Sequence, residues 1–354
     1  MLVIKFGGSS VANGERILAA ARIVASHRQG AQVVVVVSAM AGVTDALIEV
    51  AEHALNGCEV WREELAEIEQ RHRAAYLEIA GQVPDRFCAA WARLETAARA
   101  LSHVQSGGGG CSASDPAGRG GATASASLHP KSAAGALAVR CFSGWGERII
   151  VDLFAQGLRR EGIEAEGFSE EPVVLASRDN QETHRAPEPS ILATRAWLLP
   201  QLAHSMTQDI VPVLPGYIAR DAAGQATTLG RNGSDHSAAI VAAALGAQAV
   251  YIYSDVAGVY TADPRIFADA QLLPTLSYAE VATIAASGAR VLHPRAVEPL
   301  ARWGIPLYLR SSFAPMAPGT DILSLAGSRV PVNVSLSAVT KKRRKREKGL
   351  LLSS

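Results

Sequence analysis

The chain has 354 residues, 48% of them hydrophobic and 19% charged, with a formal net charge of +1 at neutral pH. That length buries a substantial core in one large domain or two moderate ones, and no apolar stretch is long enough for a membrane span. The charge is uneven: residues 341–348 (KKRRKREK) hold seven bases and one acid, and without them 27 bases face 32 acids, about −5. A mildly acidic body is not built to grip nucleic acid, and the basic tail reads as a solvated, disordered terminus.

An apolar strand begins at Leu2 and runs into Lys5-Phe6-Gly7-Gly8-Ser9-Ser10; Lys5 and the glycines interrupt it, so it does not read as a signal peptide. A lysine at a strand end before paired glycines suits a nucleotide-phosphate site, because glycines let backbone N–H groups approach an anion. The amphipathic helix predicted over residues 14–28 points its N-terminus at the same place. Alone, such a turn is more often only a strand-to-helix connection.

Residues 32–38 (QVVVVVS) form a continuous β-branched run of the kind buried on both faces, and a helix follows over 44–54. Helical spacing continues over 61–101, broken near 81–84. Residues 106–134 are too rich in Gly and Ser to bury a core face and read as a disordered insertion. A helix is expected from Ser143 to about residue 160, strands over 209–214, 249–254 and 305–310, and a helix over 236–245. Short β-like pieces (321–325, 330–336) precede the tail. Strands separated by helices argue for a parallel α/β sheet, and no internal repeat is present. Cys58, Cys88, Cys111 and Cys141 are scattered without a Cys-x-x-Cys pair or His cluster, which points to free thiols in a reducing cytoplasm.

Chemistry-bearing residues recur at the ends of these elements. Ser38 ends a buried strand and Thr44 opens a helix; their hydroxyls suit a ligand carboxylate and equally suit helix capping. Glu147, in Ser143-Gly144-Trp145-Gly146-Glu147-Arg148, either complements a helix dipole or accepts from a substrate ammonium. In Thr227 to Asp235 (TTLGRNGSD), glycines expose backbone donors at a helix N-terminus, Arg231 offers a fork for a carboxylate and Ser234 adds a hydroxyl. Asp235 there caps the helix or orients a catalytic lysine. Ser254, Asp255, Tyr260, Asp263 and Arg265 follow a strand end and suit a purine and its phosphates. Arg290, in GARVLHPR, is placed to lie over a nucleotide, whereas His293 and Arg295 read equally as structural. The sequence contains no G-x-x-x-x-G-K-[ST], no H-R-D…D-F-G set, no H-E-x-x-H, no nucleophile elbow and no G-x-G-x-x-G after the first strand.

In this order and spacing, KFGGSSVA, VSAMAGVT, SGWGER, TTLGRNGSD, YSDVAGVYTADPR and GARVLHPR resemble the motifs of aspartokinases, members of the amino acid kinase family. The match runs from residue 2 to about 322 and is similar to the kinase portion of the proteobacterial bifunctional enzymes. Kinases of acetylglutamate, carbamate, glutamate or uridylate share the Lys-Gly-Gly start but not, as a group, TTLGRNGSD with GARVLHPR. The resemblance implies an α/β amino acid kinase fold, a three-layer α/β/α sandwich around a largely parallel sheet. It also implies an aspartate-binding lobe (1–208), an ATP-binding lobe (209–325) and a terminal piece (326–354) without the regulatory ACT domains or the homoserine dehydrogenase that follow in relatives.

The activity so implied is phosphorylation of L-aspartate by ATP in the cytoplasm, the entry step toward lysine, threonine and methionine, with a homodimer as the candidate assembly. By motif, Lys5 would hold the transferring phosphoryl group, with Phe6, Gly7, Gly8 and Ser9 lining the phosphates and Asp235 orienting Lys5. Ser38, Thr44, Glu147, Arg231, Asn232, Gly233 and Ser234 would bind aspartate; Ser254, Asp255, Tyr260, Arg265, Arg290 and Val291 would bind ATP. Mg²⁺ would come with the nucleotide, with no metal ligand assigned to the chain. The chain departs from the family at Ile150 (usually Ser or Thr), at Tyr217 after Pro215 (usually Phe) and at Arg290 (commonly Lys). An inactive binding protein on the same fold, or a kinase of another small carboxylate, are the alternatives.

Overall fold

The computed structural model describes residues 1–103, 132–170, 172–178, 188–221, 224–230, 232–286, 292 and 294–324. The chain begins with β1 (Leu2–Phe6), a 3-10 turn (Gly8–Val11), α1 (Gly14–Arg28), β2 (Val33–Val37) and α2 (Val43–Leu55). The Asn13 side chain accepts from Arg16 N–H and starts α1 at the expected residue. Next come α3 (Trp61–Ala80) and α4 (Asp85–His103), separated where expected: Gly81 takes φ +69° and caps α3 through Leu77 O, and Pro84 follows.

After residues 104–131, which hold most of the Gly/Ser segment and lie outside the described residues, come α5 (Ala133–Ser143), α6 (Trp145–Arg160) and β3 (Ala165–Gly167). The expected insertion therefore ends too late: Ser132 caps α5 through Gly135 N–H, and the alanines after it are helical. Then follow β4 (Val174–Arg178), β5 (Glu188–Pro189), α7 (Ile191–Thr207), β6 (Val211–Pro215), β7 (Ile218–Arg220), β8 (Ala226–Thr228), α8 (Gly233–Leu245) and β9 (Ala249–Ser254). Strand β6 begins two residues later than expected because Asp209, at φ +55°, turns the chain out of α7. The chain continues through β10 (Thr275–Ser277), α9 (Tyr278–Ala286), α10 (Pro294–Trp303), β11 (Leu307–Ser311) and β12 (Thr320–Leu323). The 330–336 piece and the basic tail lie outside the described residues.

Among the described residues, eight strands form one sheet in the order β10-β12-β11-β9-β1-β2-β6-β3, parallel except where β12 runs against β11. A smaller sheet has the order β5-β4-β7-β8. In β2, Val33, Val35 and Val37 enter one core with α1, α2, α3, α4 and α6; Val34 and Val36 enter the other with α7, α8, α9 and α10. Side chains alternate across a strand, so five consecutive valines are what a strand buried on both faces requires. The result is an α/β/α three-layer sandwich around a largely parallel sheet, as expected. β1 lies between β2 and β9, and from it the chain builds outward in both directions. The crevice beyond the carboxyl ends of β1 and β9 is where open parallel sheets bind ligands.

Candidate active site

Lys5 is the penultimate residue of β1 and shares the Val3 face, which α8 covers. It is buried, and its Nζ lies 2.5 Å from Oδ1 of Asp235 in the first turn of α8. Beyond β1 the backbone is pinned: Gly7 N–H donates to Tyr253 O at 2.9 Å, and Ala41 N–H donates to Gly8 O at 3.1 Å. A Cβ on Gly8 would come 2.8 Å from Ala39 O, a backbone atom that cannot swing away, so the position demands glycine. Ser9 lies half-buried in the turn. Phe6, expected to line the phosphates, places its side chain in the core. Its ring is fully buried between Phe154 and Tyr253, centroids 5.3 and 5.4 Å away, and its carbonyl accepts from Ser38 N–H.

On the other side of β1, β2 ends at Val37, and Ser38 Oγ accepts from Ser234 Oγ at 3.3 Å. Glu147, in the first turn of α6, is 2% exposed. Its Oε1 accepts from Ala39 N–H at 3.2 Å, while Oε2 is buried with no partner. Burial pushes its pKa up to about 8, opposed by the Ala39 bond, by its own backbone N–H and by the charge of Lys5. A carboxyl so placed has one oxygen left without a hydrogen-bond partner. Thr44 lies half-buried in the first turn of α2, after Gly42 at φ +79°. Asn232, at φ +58°, precedes α8 and is exposed, and Gly233 is buried against Tyr217. Arg231 lies outside the described residues, as do Arg290 and Val291.

The expected nucleotide residues form a second group. Ser254 ends β9 and adjoins the glycine turn, its Cα 4.0 Å from where a Gly7 Cβ would stand. Its hydroxyl donates to Val256 O at 3.1 Å, and its carbonyl accepts from Ser312 N–H at 2.8 Å. Asp255 is exposed, and Tyr260 is half-buried in a bridge to Leu272. Arg265 is turned onto Asp263, donating through Nε at 3.1 Å and a terminal nitrogen at 3.2 Å. Sequence reasoning missed Ala39 N–H and Gly216, whose absent Cβ makes room for Ser234 (2.7 Å), because main-chain contacts leave no residue-type signal. It also missed Ser312, which accepts from Ser10 Oγ at 2.7 Å and from Arg16, tying the glycine turn to the β9 end. Among the described residues no group of three or more His, Cys, Asp or Glu is placed to hold a metal ion, and no helix is long and apolar enough to cross a membrane.

A three-layer α/β sandwich with a lysine–aspartate pair and a glycine turn at the carboxyl edge of its sheet, beside a buried glutamate, defines the class of fold to which the chain belongs. The amino acid kinase family profile matches residues 1–311, and the chain belongs to that family. An aspartokinase of Thermus thermophilus is 38% identical over 181 residues, 51% of this chain and 42% of that one. An aspartokinase of Rickettsia felis is 30% identical over 334 residues, 92% of this chain and 61% of that one. The crystal structure of Escherichia coli aspartokinase III in complex with aspartate and ADP is similar with a TM-score of 0.73 at 29% identity, over 93% of this chain and 65% of that one. The chain thus spans about half the length of the curated relatives it matches.

Proposed function

We propose that this chain transfers the γ-phosphoryl group of ATP to the side-chain carboxylate of L-aspartate, giving ADP and 4-phospho-L-aspartate. The observation that carries the reading is the unpartnered Oε2 of Glu147, buried and within reach of the charge of Lys5. A buried carboxylate left without a cation suits the α-ammonium of an amino acid, and the neighbouring lysine and glycine turn suit phosphates. The aspartokinase relatives, one of them bound to aspartate and ADP, support the same substrates.

In this reaction a substrate carboxylate oxygen forms a bond to the γ-phosphorus as the bond to the β–γ bridging oxygen breaks, and ADP departs. No general base is needed, because the nucleophile is already ionised at neutral pH. Catalysis then rests on alignment and charge neutralisation. Lys5 follows the transferring group, Asp235 orients Lys5, and the Gly7–Gly8 turn accommodates phosphate oxygens. Ser38, Thr44, Glu147, Asn232, Gly233 and Ser234 hold aspartate, with Arg231 pairing a carboxylate and Glu147 the α-ammonium. Ser254, Asp255, Tyr260, Arg265, Arg290 and Val291 hold the nucleotide, and Mg²⁺, arriving with it, supplies charge neutralisation on the phosphates. The lobes divide near residue 208, the setting is the cytoplasm, and the product enters the aspartate-derived amino acid routes.

Hydroxylamine trapping tests this directly. ATP, Mg²⁺ and aspartate should yield aspartyl hydroxamate; nucleotide binding without hydroxamate would defeat the reading, and hydroxamate from another acid alone would reassign the substrate.

A further inference from the structure

Tyr217 is held in a conformation that bulky side chains rarely adopt. Its φ is +63°, and Ile218 N–H bonds back to Gly216 O at 2.6 Å, so it stands at the apex of a γ-turn of the rarer, strained hand. Contacts from three directions hold it there. Its N–H donates to Ser237 Oγ at 3.0 Å, and its ring lies against Gly233, where a Cβ would stand 2.7 Å from Cδ2. Its hydroxyl meets Ser143 Oγ at 3.1 Å. Ser143 is fully buried and gives its own proton to Arg140 O at 2.8 Å, which makes Tyr217 the donor.

The two sides joined by this bond lead separately to Glu147 and to Ser234. Ser143 ends α5 at the corner from which α6 starts, and Glu147 follows in the first turn of α6. Gly216, on the other side, lies so close to Ser234 that a Cβ would come within 2.7 Å of that serine's Cβ. Strain kept at such a place points to a function for it.

We propose that Tyr217 is a positioning residue whose hydroxyl, latched to Ser143, sets the separation between Glu147 and Ser234 and so tunes binding of the amino-acid substrate. The inference rests on the aspartate kinase reading for the identity of that substrate. Tyr217→Phe removes the latch and keeps the ring, and Ser143→Ala removes it from the other side. Each should raise KM for aspartate about fivefold, a hydrogen bond's worth, with kcat and KM for ATP within about twofold of the parent. The double variant should be no worse than either single one. In the ligand-free protein both should speed amide exchange over residues 140–148 and 216–218. Unchanged KM for aspartate with unchanged exchange, or strictly additive effects in the double variant, would overturn the latch. If the parent protein itself forms no hydroxamate, the kinase reading fails on that control, and the exchange measurement still decides the latch.

Discussion

Glu147 shows how far one carboxyl can be moved by its surroundings. Without substrate it holds a proton up to about pH 8, yet pairing with a substrate ammonium requires the carboxylate. Aspartate binding should therefore tighten as pH rises from 6 to 8 and release a proton near pH 7, measurable by calorimetry in buffers of different ionisation enthalpy. The same shift acts on stability. A carboxyl raised above its unfolded value of 4.5 keeps its proton longer in the folded state, so its contribution is full below 4.5 and is lost as pH climbs toward 8. Glu147→Gln should abolish aspartate binding and remove that alkaline decline in denaturant midpoints. Lys5→Ala should abolish turnover while aspartate still binds, and should destabilise the fold by about 3 kcal/mol, because Asp235 is left without its partner; turnover near that of the parent would refute the role of Lys5. Lys5, Glu147 and Asp235 were legible from residue type and position. The burial that moves Glu147 was not, since it comes from α2, α6 and the β2 end packing together.

At the scale of elements, the glycine turn after β1 and the α3–α4 pair invite contrasting tests. Gly8→Ala would drive a Cβ against Ala39 O and displace the turn, so KM for ATP should rise at least tenfold, with aspartate binding less affected. In α3, His72 is fully buried between Phe87 and Trp91, with Nδ1 donating to Ile68 O at 2.8 Å and Nε2 lacking a partner. Burial lowers its pKa to about 4, so the unfolded chain takes up this proton first as pH falls. The stability His72 contributes is complete above 6.5 and is lost between 6.5 and 4; His72→Leu should flatten that acid limb of the urea midpoint. Helices with caps and 3.6-residue spacing, such as α1, α3 and α4, could be placed from sequence closely. Strands of three residues, such as β3, β7, β8 and β10, could not, because too few residues show a period and their pairing is set by distant partners.

For the whole molecule, two cores on opposite sheet faces meet through strands that serve both, and the site forms where α8, α6 and the β1 and β9 ends converge. Ligands that bridge these pieces bind only the folded state, so MgATP and aspartate together should raise Tm more than either alone. Equal shifts for the pair and for MgATP alone would show that aspartate does not bind the MgATP-loaded protein. The parallel architecture was legible because β2 and its neighbours announce burial on both faces. The antiparallel β12 and the smaller sheet were not, since nothing in their composition records strand direction.

The ion pair between Lys5 and Asp235 means that the proposed phosphate site is, at rest, already electrically balanced. A lone singly or doubly charged anion must compete with a carboxylate 2.5 Å away. A polyphosphate brings surplus charge along with its own counter-cation. On the proposed reading the pair would act as a valence filter, sorting arrivals by how much charge they carry before any base or ribose is read. Inorganic phosphate, abundant wherever ATP is used, would knock at this door and be turned away.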